Sequence, residues 1–188
     1  MAFLCSAFMI GKVESFSALI PAYPHIQAKA HEELNRVVRH DRLPTVEDGK
    51  DPPYISTIIK QLSMVITHYW LMYTMCHDPQ RYPEPFSFNP DCYLTDHTLS
   101  SESANLPNAM ERNHWTFGVG RRICPGILVA EREVFLAISQ MLWAFKMEQL
   151  QGEPINLKEY DGLSGHSPVL FRIKMIPRHD KVTEVLNL

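Results

Sequence analysis

The sequence lacks the cysteine pairs that mark a zinc site or a disulfide framework. Its four cysteines contain no Cys-x-x-Cys spacing, which argues against a zinc site and against a redox pair. They are Cys5, Cys76, Cys92 and Cys124. Because no spacing suggests structural disulfides, we expect a protein of a reducing compartment. A His-Glu-x-x-His zinc motif is excluded as well, since the residue four positions after His31 is Asn35.

The sequence also lacks an excess of charge of one sign and any long apolar run. The net charge is −3, and lysine and arginine are scattered, so neither nucleic acid nor a charged membrane surface is an expected partner. The apolar run at residues 1–11 ends at Lys12 and Glu14, and it is too short to span a bilayer. No positive n-region precedes this run, which excludes an ordinary signal peptide. We interpret it as part of a core helix, and the sequence leaves the localisation unknown.

The composition and periodicity predict one mainly α domain over residues 1–188. Hydrophobic residues make up 45% of the chain and charged residues 21%, as in an ordinary globular protein. Apolar residues at three- and four-residue spacing predict helices through residues 13–23, 24–38 and from 51 onwards, and a long helix over residues 124–145. Partial alternation of apolar and polar residues over residues 169–176 predicts a strand. The fold expected is therefore mostly helical with a small β portion.

A glycine-punctuated loop precedes the long helix and carries one cysteine. Gly120 permits a tight turn that a residue with a Cβ would resist. Pro125 suits the first helical position, which would place Cys124 near the N-cap, facing unpaired backbone N–H groups and the positive end of the helix dipole. Both features favour the thiolate, which is the form of cysteine that binds metal.

This loop, residues 117–126, resembles the haem-binding signature of the cytochrome P450 family, Phe-x-x-Gly-x-Arg-x-Cys-x-Gly. All five fixed positions match, and they are Phe117, Gly120, Arg122, Cys124 and Gly126. A chance match is rare, on the order of one in a million per window. The resemblance implies that Cys124 is the axial ligand of a haem iron, that Arg122 pairs with a haem propionate and that Phe117 packs beside the thiolate.

Two further residues bear on this interpretation. Gly126 has no side chain, so a large flat ligand has room against the backbone. Trp115, just before the loop, lines the haem edge by family analogy or is simply a core residue. From the residues alone, the alternative for Cys124 is a structural cysteine beside a turn.

The resemblance extends over residues 23–178, with one interruption. Residues 23–33, 42–44 and 53–55 resemble the segment that leads into the family's helix K, but the Glu-x-x-Arg of that helix is absent. Instead, residues 61–63 run directly into a segment that normally lies well downstream. We interpret this seam as an internal deletion or a mispredicted exon boundary.

The stretch at residues 78–113 resembles the family's meander, and it also departs from the pattern. Cys92 stands where the family usually carries an arginine that pairs with the helix K glutamate and arginine. All three members of that ion-paired triad are therefore missing. Cys92 as a second metal ligand is an alternative, although nothing nearby has ligand spacing. Within this stretch, residues 95–113 are polar and predict a surface loop.

The resemblance implies the C-terminal part of a microsomal haem-thiolate monooxygenase, a family whose intact members are anchored to the endoplasmic reticulum. The implied cofactors are haem b, ligated by a thiolate, and NADPH acting through a reductase. The implied partners are that reductase and an apolar small-molecule substrate into which one oxygen of O₂ is inserted, with no nucleic acid. The sequence contains no Ala-Gly-x-Asp/Glu-Thr run, the family's oxygen-activating motif. A non-catalytic truncated product that binds haem weakly or not at all is the alternative, as is a helical interaction protein.

Overall fold

The computed structural model describes residues 2–49, 54–65, 74–82, 84–96, 98–113, 115–118, 120–157, 159 and 168–186, without the side chains of residues 2–9 and 65. The helices are α1 (Ala2–Leu19), α2 (Pro24–Val37), α3 (Tyr54–Val65), α4 (Ser100–Ser103), α5 (Ile127–Ala144) and α6 (Lys181–Leu186). The strands are β1 (Phe145–Gln149) and β2 (Ile173–Pro177). Short 3-10 turns cover Ile20–Ala22, Val46–Gly49, Pro90–Tyr93, Ala109–Glu111 and Gly120–Arg122. The predicted mainly α fold with a small β portion is confirmed.

The long helix α5 is the centre of the core. It packs against α1, α2 and α3, and its Ile138, Leu142 and Trp143 are fully buried. The apolar stripe predicted for α2 packs into the same cluster through Ile26, Ala30, Leu34 and Val38, whereas Val37 is exposed. Burying a side chain of this size stabilises the fold by about 1.5–3 kcal/mol. The core therefore fixes the helix that directly follows Cys124.

The first helix is continuous through the apolar run that the sequence analysis assigned to the core. It extends from Ala2 to Leu19 and ends in a 3-10 turn that contains Pro21, as predicted for this proline-rich boundary. In the part of the chain that the structure describes, no helix combines the length and the apolar character needed to cross a bilayer.

The N-terminus of α3 is capped from another helix. Glu33 of α2 accepts hydrogen bonds from the backbone N–H groups of Tyr54 at 2.6 Å and Ile55 at 3.2 Å. Helix N-termini carry unpaired N–H groups, so a carboxylate there is stabilising. The cap joins residues 21 positions apart, and local periodicity carries no sign of it.

The sheet differs from the sequence expectation in both strands. The predicted strand at residues 169–176 is observed as Ile173–Pro177, and the predicted helix end at Phe145 is instead the first residue of β1. The two strands pair antiparallel, with Phe145 opposite Pro177 and Gln149 opposite Ile173. No glycine or proline separates α5 from β1, so no residue at this junction signals the end of the helix.

The polar stretch at residues 95–113 is only partly the surface loop that its composition predicts. It contains α4, and Ser100, Ser103 and Ala104 are buried. Glu131 of α5 accepts a hydrogen bond from the N–H of Ser100 at 2.7 Å. This contact joins the stretch to the helix that follows Cys124.

Candidate functional site

The loop between Trp115 and Cys124 is shaped by two glycines in the left-handed region. Gly120 has φ +65°, as its predicted tight turn requires, and Gly118 has φ +73°. The N–H of Gly118 donates to the carbonyl of Trp115 at 2.9 Å, and the N–H of Cys124 donates to the carbonyl of Phe117 at 2.9 Å. These bonds fold the loop back on itself and fix the backbone of Cys124. The role of Gly118 was missed because it falls at a variable position of the signature.

The helix after the cysteine begins later than predicted. Its N-cap is Gly126, whose carbonyl accepts hydrogen bonds from Val129 and Ala130. Cys124 lies two residues before this cap, and its carbonyl accepts a bond from Ile127 at 3.3 Å. The prediction that Pro125 occupies the first helical position is therefore wrong, because the chain makes a further turn there. Gly126 has φ −90°, which any residue can adopt, so its backbone does not require glycine.

Cys124 is half-buried in a small apolar cluster. The cluster consists of Phe117, Ile127 and Ala130, with Ile123 and Cys124 packed against it. Phe117 and Cys124, predicted to lie together, are brought into one cluster. Their roles toward haem stay predictions.

A buried lysine faces the same cluster. Lys12 of α1 is 2% exposed, its Nζ donates to Ser63 Oγ at 2.5 Å, and it lies 5.2 Å from the ring centroid of Phe117. Burial lowers the pKa of Lys12 to about 7, and the nearby charge of Glu131 partly offsets this shift. In the sequence, Lys12 is recognisable only as the end of an apolar run. A single lysine between apolar residues was the signal available, but burial of a lysine is decided by tertiary packing.

The two arginines of the loop are exposed. Arg121 and Arg122 lie in the 3-10 turn at its tip, and in the described residues neither guanidinium has a hydrogen bond or an ion pair. Arg122 is therefore open to an external carboxylate, with two parallel N–H groups to offer. Its proposed pairing with a haem propionate stays a prediction.

Trp115 lies inside a second cluster just before the loop. It is 9% exposed and packs with Met64, Cys76 and Tyr93. Its indole Nε1–H is buried without a hydrogen-bond partner among the described residues. Buried donors are nearly always paired, so this group is suited to an acceptor from outside the chain. The structure thus gives Trp115 both a core position and an unused donor.

A cavity of about 260 Å³ lies beside this second cluster. Gln61 and Met64, one turn apart on α3, line it together with Cys92 of the meander. The Cys92 thiol lies 3.6 Å from Gln61 Oε1 and 2.9 Å from the carbonyl of Asn89. Cys92, at the position where the family usually carries an arginine, thus meets the neutral side chain of Gln61, while Glu84 of the meander supplies a carboxylate to the cavity wall. In the described residues, no group of three His, Cys, Asp or Glu side chains is arranged to hold a metal ion.

Comparison with known proteins identifies relatives of this chain. The sequence model of the cytochrome P450 family matches residues 66–175. The cytochrome P450 monooxygenase polD of Polytolypa hystricis is 31% identical over an alignment of 203 positions. This alignment covers 93% of this chain and 39% of the relative. The cytochrome P450 monooxygenase atE of Aspergillus terreus is 33% identical over 184 residues, covering 79% of this chain and 34% of the relative. The chain thus spans well under half the length of the curated relatives it matches.

Solved structures show the same fold. A zebra fish cytochrome P450 with progesterone superposes with a TM-score of 0.73 and 21% identity, covering 91% of this chain and 42% of the other. A second zebra fish structure, with abiraterone, has a TM-score of 0.72 and 22% identity, over 89% of this chain and 44% of the other. At this level of identity the likeness concerns the fold alone.

Proposed function

The chain belongs to the cytochrome P450 family, and from this premise we propose that it is the C-terminal part of a haem-thiolate monooxygenase in which Cys124 is the axial ligand of the iron. The observation that carries the proposal is the position of Cys124. Its N–H is bonded to the carbonyl of Phe117 at 2.9 Å, and its side chain is half-buried against the cluster that contains Phe117. A thiol on a fixed backbone, partly open to a ligand, is what axial ligation of a metal requires.

The residues around Cys124 fit a haem group. Haem carries two propionate carboxylates, and the signature arginine Arg122 is an exposed guanidinium without a partner among the described residues, where the buried indole N–H of Trp115 has no partner either. The Arg122 guanidinium can form a charge-assisted pair with one propionate, and the buried N–H of Trp115 can donate a hydrogen bond to the other. Gly126 is not required by its own backbone conformation, which supports its role in leaving room for the flat face of the ligand.

When bound, the haem would supply the redox chemistry of oxygen, with the thiolate favouring O–O cleavage. The chain's own residues hold and orient the group. Cys124 would hold the iron, Phe117 and Ile127 would exclude water from one side of the sulfur, and Arg122 and Trp115 would hold the propionates. Gly118 and Gly120 keep the loop in the shape that presents the thiolate.

For the whole protein, the activity that the family resemblance implies is part of the proposal. We propose that it accepts electrons from a reductase fed by NADPH and inserts one oxygen of O₂ into an apolar small molecule. Most residues that would contact this substrate lie outside the chain, which matches 39% of the length of polD.

A second candidate is a non-catalytic truncated product that binds haem weakly or not at all. The specific observation in its favour is the seam at residues 61–63. The family match begins at residue 66, and the polD match extends over 203 positions although this chain has 188 residues, so the relative carries residues that this chain lacks. An internal deletion near the seam accounts for both facts.

An absorption spectrum of the purified, haem-reconstituted chain, reduced and exposed to carbon monoxide, separates the two candidates. A thiolate-type Soret band with near-stoichiometric haem supports the first. Substoichiometric haem or a spectrum without thiolate character supports the second. Failure to take up haem under any reconstitution condition would overturn the site itself and favour a helical interaction protein.

A further inference from the structure

Arg81 holds the chain just upstream of the Cys124 loop at two points. Its guanidinium donates a hydrogen bond to the carbonyl oxygen of Arg112. Its Cζ lies 5.6 Å from the ring centroid of Trp115 and 5.6 Å from that of Tyr82. A guanidinium within about 6 Å of an aromatic centroid is attracted to the ring face. Arg81 thus contacts a backbone acceptor and two aromatic rings at once.

These contacts are linked to the cysteine by a short path. Trp115 is almost fully buried, and its carbonyl accepts the N–H of Gly118 at 2.9 Å. Two residues further along the chain, the carbonyl of Phe117 accepts a hydrogen bond from the N–H of Cys124 at 2.9 Å. A residue that fixes Trp115 therefore fixes the start of the turn that positions Cys124.

Arg81 differs from the loop's own arginines. Arg121 and Arg122 are exposed and have no hydrogen bond or ion pair in the part of the chain that the structure describes, whereas Arg81 is half-buried and engaged with protein groups. The arginine with which the family's triad would anchor the meander is replaced by Cys92. Arg81 is the cation that joins the meander to the loop in its place.

We propose that Arg81 is a positioning residue that preforms the Cys124 loop before any haem binds. Its planar guanidinium satisfies the Arg112 carbonyl and the Trp115 ring together, which the point charge of a lysine cannot do equally well. The proposal rests on the proposed function only for the role of Cys124, since the preformed loop is a property of the haem-free chain.

The test is hydrogen–deuterium exchange of the haem-free protein, read in the peptide that spans residues 115–124. Arg81→Gln should accelerate exchange of this peptide about tenfold, because both the cation and its carbonyl contact are lost. Arg81→Lys should fall between Arg81→Gln and the unmodified protein. The matched control Arg121→Gln should leave the peptide unchanged, and residues 24–37 of α2 should exchange equally in all variants.

Unchanged exchange of the loop in Arg81→Gln would overturn the proposal. Equal acceleration in α2 would also overturn it, since the effect would then be general destabilisation. A second readout is the carbon monoxide spectrum of reconstituted protein, in which Arg81→Gln should show a smaller thiolate-type fraction than Arg121→Gln. If the unmodified chain binds no haem, the proposed function fails, while the exchange experiment still decides the role of Arg81.

Discussion

The Cys92 thiol lies 3.6 Å from the side-chain oxygen of Gln61, at the wall of the 260 Å³ cavity. Gln61 is otherwise engaged through its Nε2, which donates to the carbonyl of Ser87 at 3.0 Å. The α3 helix and the meander are therefore joined here by weak, neutral contacts. An S–H donor contributes less than a charge-assisted hydrogen bond, so this contact is weaker than the ion pair of Lys60 with Asp96, which also joins α3 to the meander.

Charging the Cys92 and Gln61 pair should strengthen this junction. We expect Gln61→Glu alone to be destabilising, because it places an unpaired carboxylate in a largely buried position. Combined with Cys92→Arg, it should gain a favourable interaction free energy of about 1–3 kcal/mol. A double-mutant cycle, with the free energy of unfolding measured in urea, gives this interaction free energy. Strictly additive effects of the two substitutions would show that their side chains do not meet.

Removing the buried charge of Lys12 should stabilise the fold in a pH-dependent way. The pKa of Lys12 is lowered to about 7 from 10.5, so between these values the unfolded chain binds a proton that the folded chain does not. The stability of the unmodified protein therefore rises with pH through this window. Lys12→Met should add about 1–4 kcal/mol at pH 6, and this gain should shrink as the pH approaches 10.5.

The control for Lys12 is Lys146→Met, at an exposed lysine paired with Glu148. Surface pairs contribute about 0–1 kcal/mol, so this variant should show no comparable trend. Urea unfolding at pH 6, 8 and 10 measures both variants. A constant stabilisation of Lys12→Met across these pH values would contradict the buried, titrating amine.

Arg122 should matter for haem retention far more than its neighbour. A charge-assisted bond to a propionate contributes about 1.5–3 kcal/mol, so Arg122→Ala should weaken haem affinity about tenfold or more. Arg121→Ala should have a much smaller effect, although both side chains are exposed in the same 3-10 turn. Haem transfer to an excess of apomyoglobin measures the loss rate of each variant. Equal rates would contradict the assignment of Arg122.

The chain as given should oxidise NADPH without coupled oxygenation. Its meander lacks the ion-paired triad of the family, and breaking such a buried network costs about 3–5 kcal/mol, a large share of a domain's roughly 5–15 kcal/mol. A loosely held loop admits water to the site, and exclusion of water is what protects reactive oxygen intermediates from side reactions. With a reductase, NADPH and apolar test substrates, we expect hydrogen peroxide as the main product. Efficient formation of an oxygenated product would show that the short chain is a complete enzyme.

The parts of the site that could be predicted are those encoded by adjacent residues. Gly120 and Cys124 were identified because the signature places them at fixed spacing in one loop. Gly118 was missed because its left-handed conformation occurs at a position that the signature leaves open. The cap from Glu33 to α3 and the contact of Arg81 with Arg112 join residues 21 and 31 positions apart, and no local pattern encodes such contacts.

The helix boundaries at both ends of α5 were less predictable than its apolar stripe. The stripe at Val134, Ile138 and Leu142 is buried as predicted, because helical periodicity encodes it directly. The start shifted from Cys124 to Ile127 because Pro125 is compatible with either a first helical turn or a preceding loop turn. The change to strand at Phe145 depends on pairing with Pro177, which lies 32 residues away.

The central claim is that Cys124 is the haem ligand, and a paired substitution tests it most directly. Cys124→Ser and Cys92→Ser are each reconstituted with haem, reduced and exposed to carbon monoxide. Because a serine hydroxyl is a poor iron ligand, we expect Cys124→Ser to lose the thiolate-type spectrum, while Cys92→Ser, at an exposed cysteine of the meander, retains it. A thiolate-type spectrum that persists in Cys124→Ser, or disappears in Cys92→Ser alone, would contradict the claim.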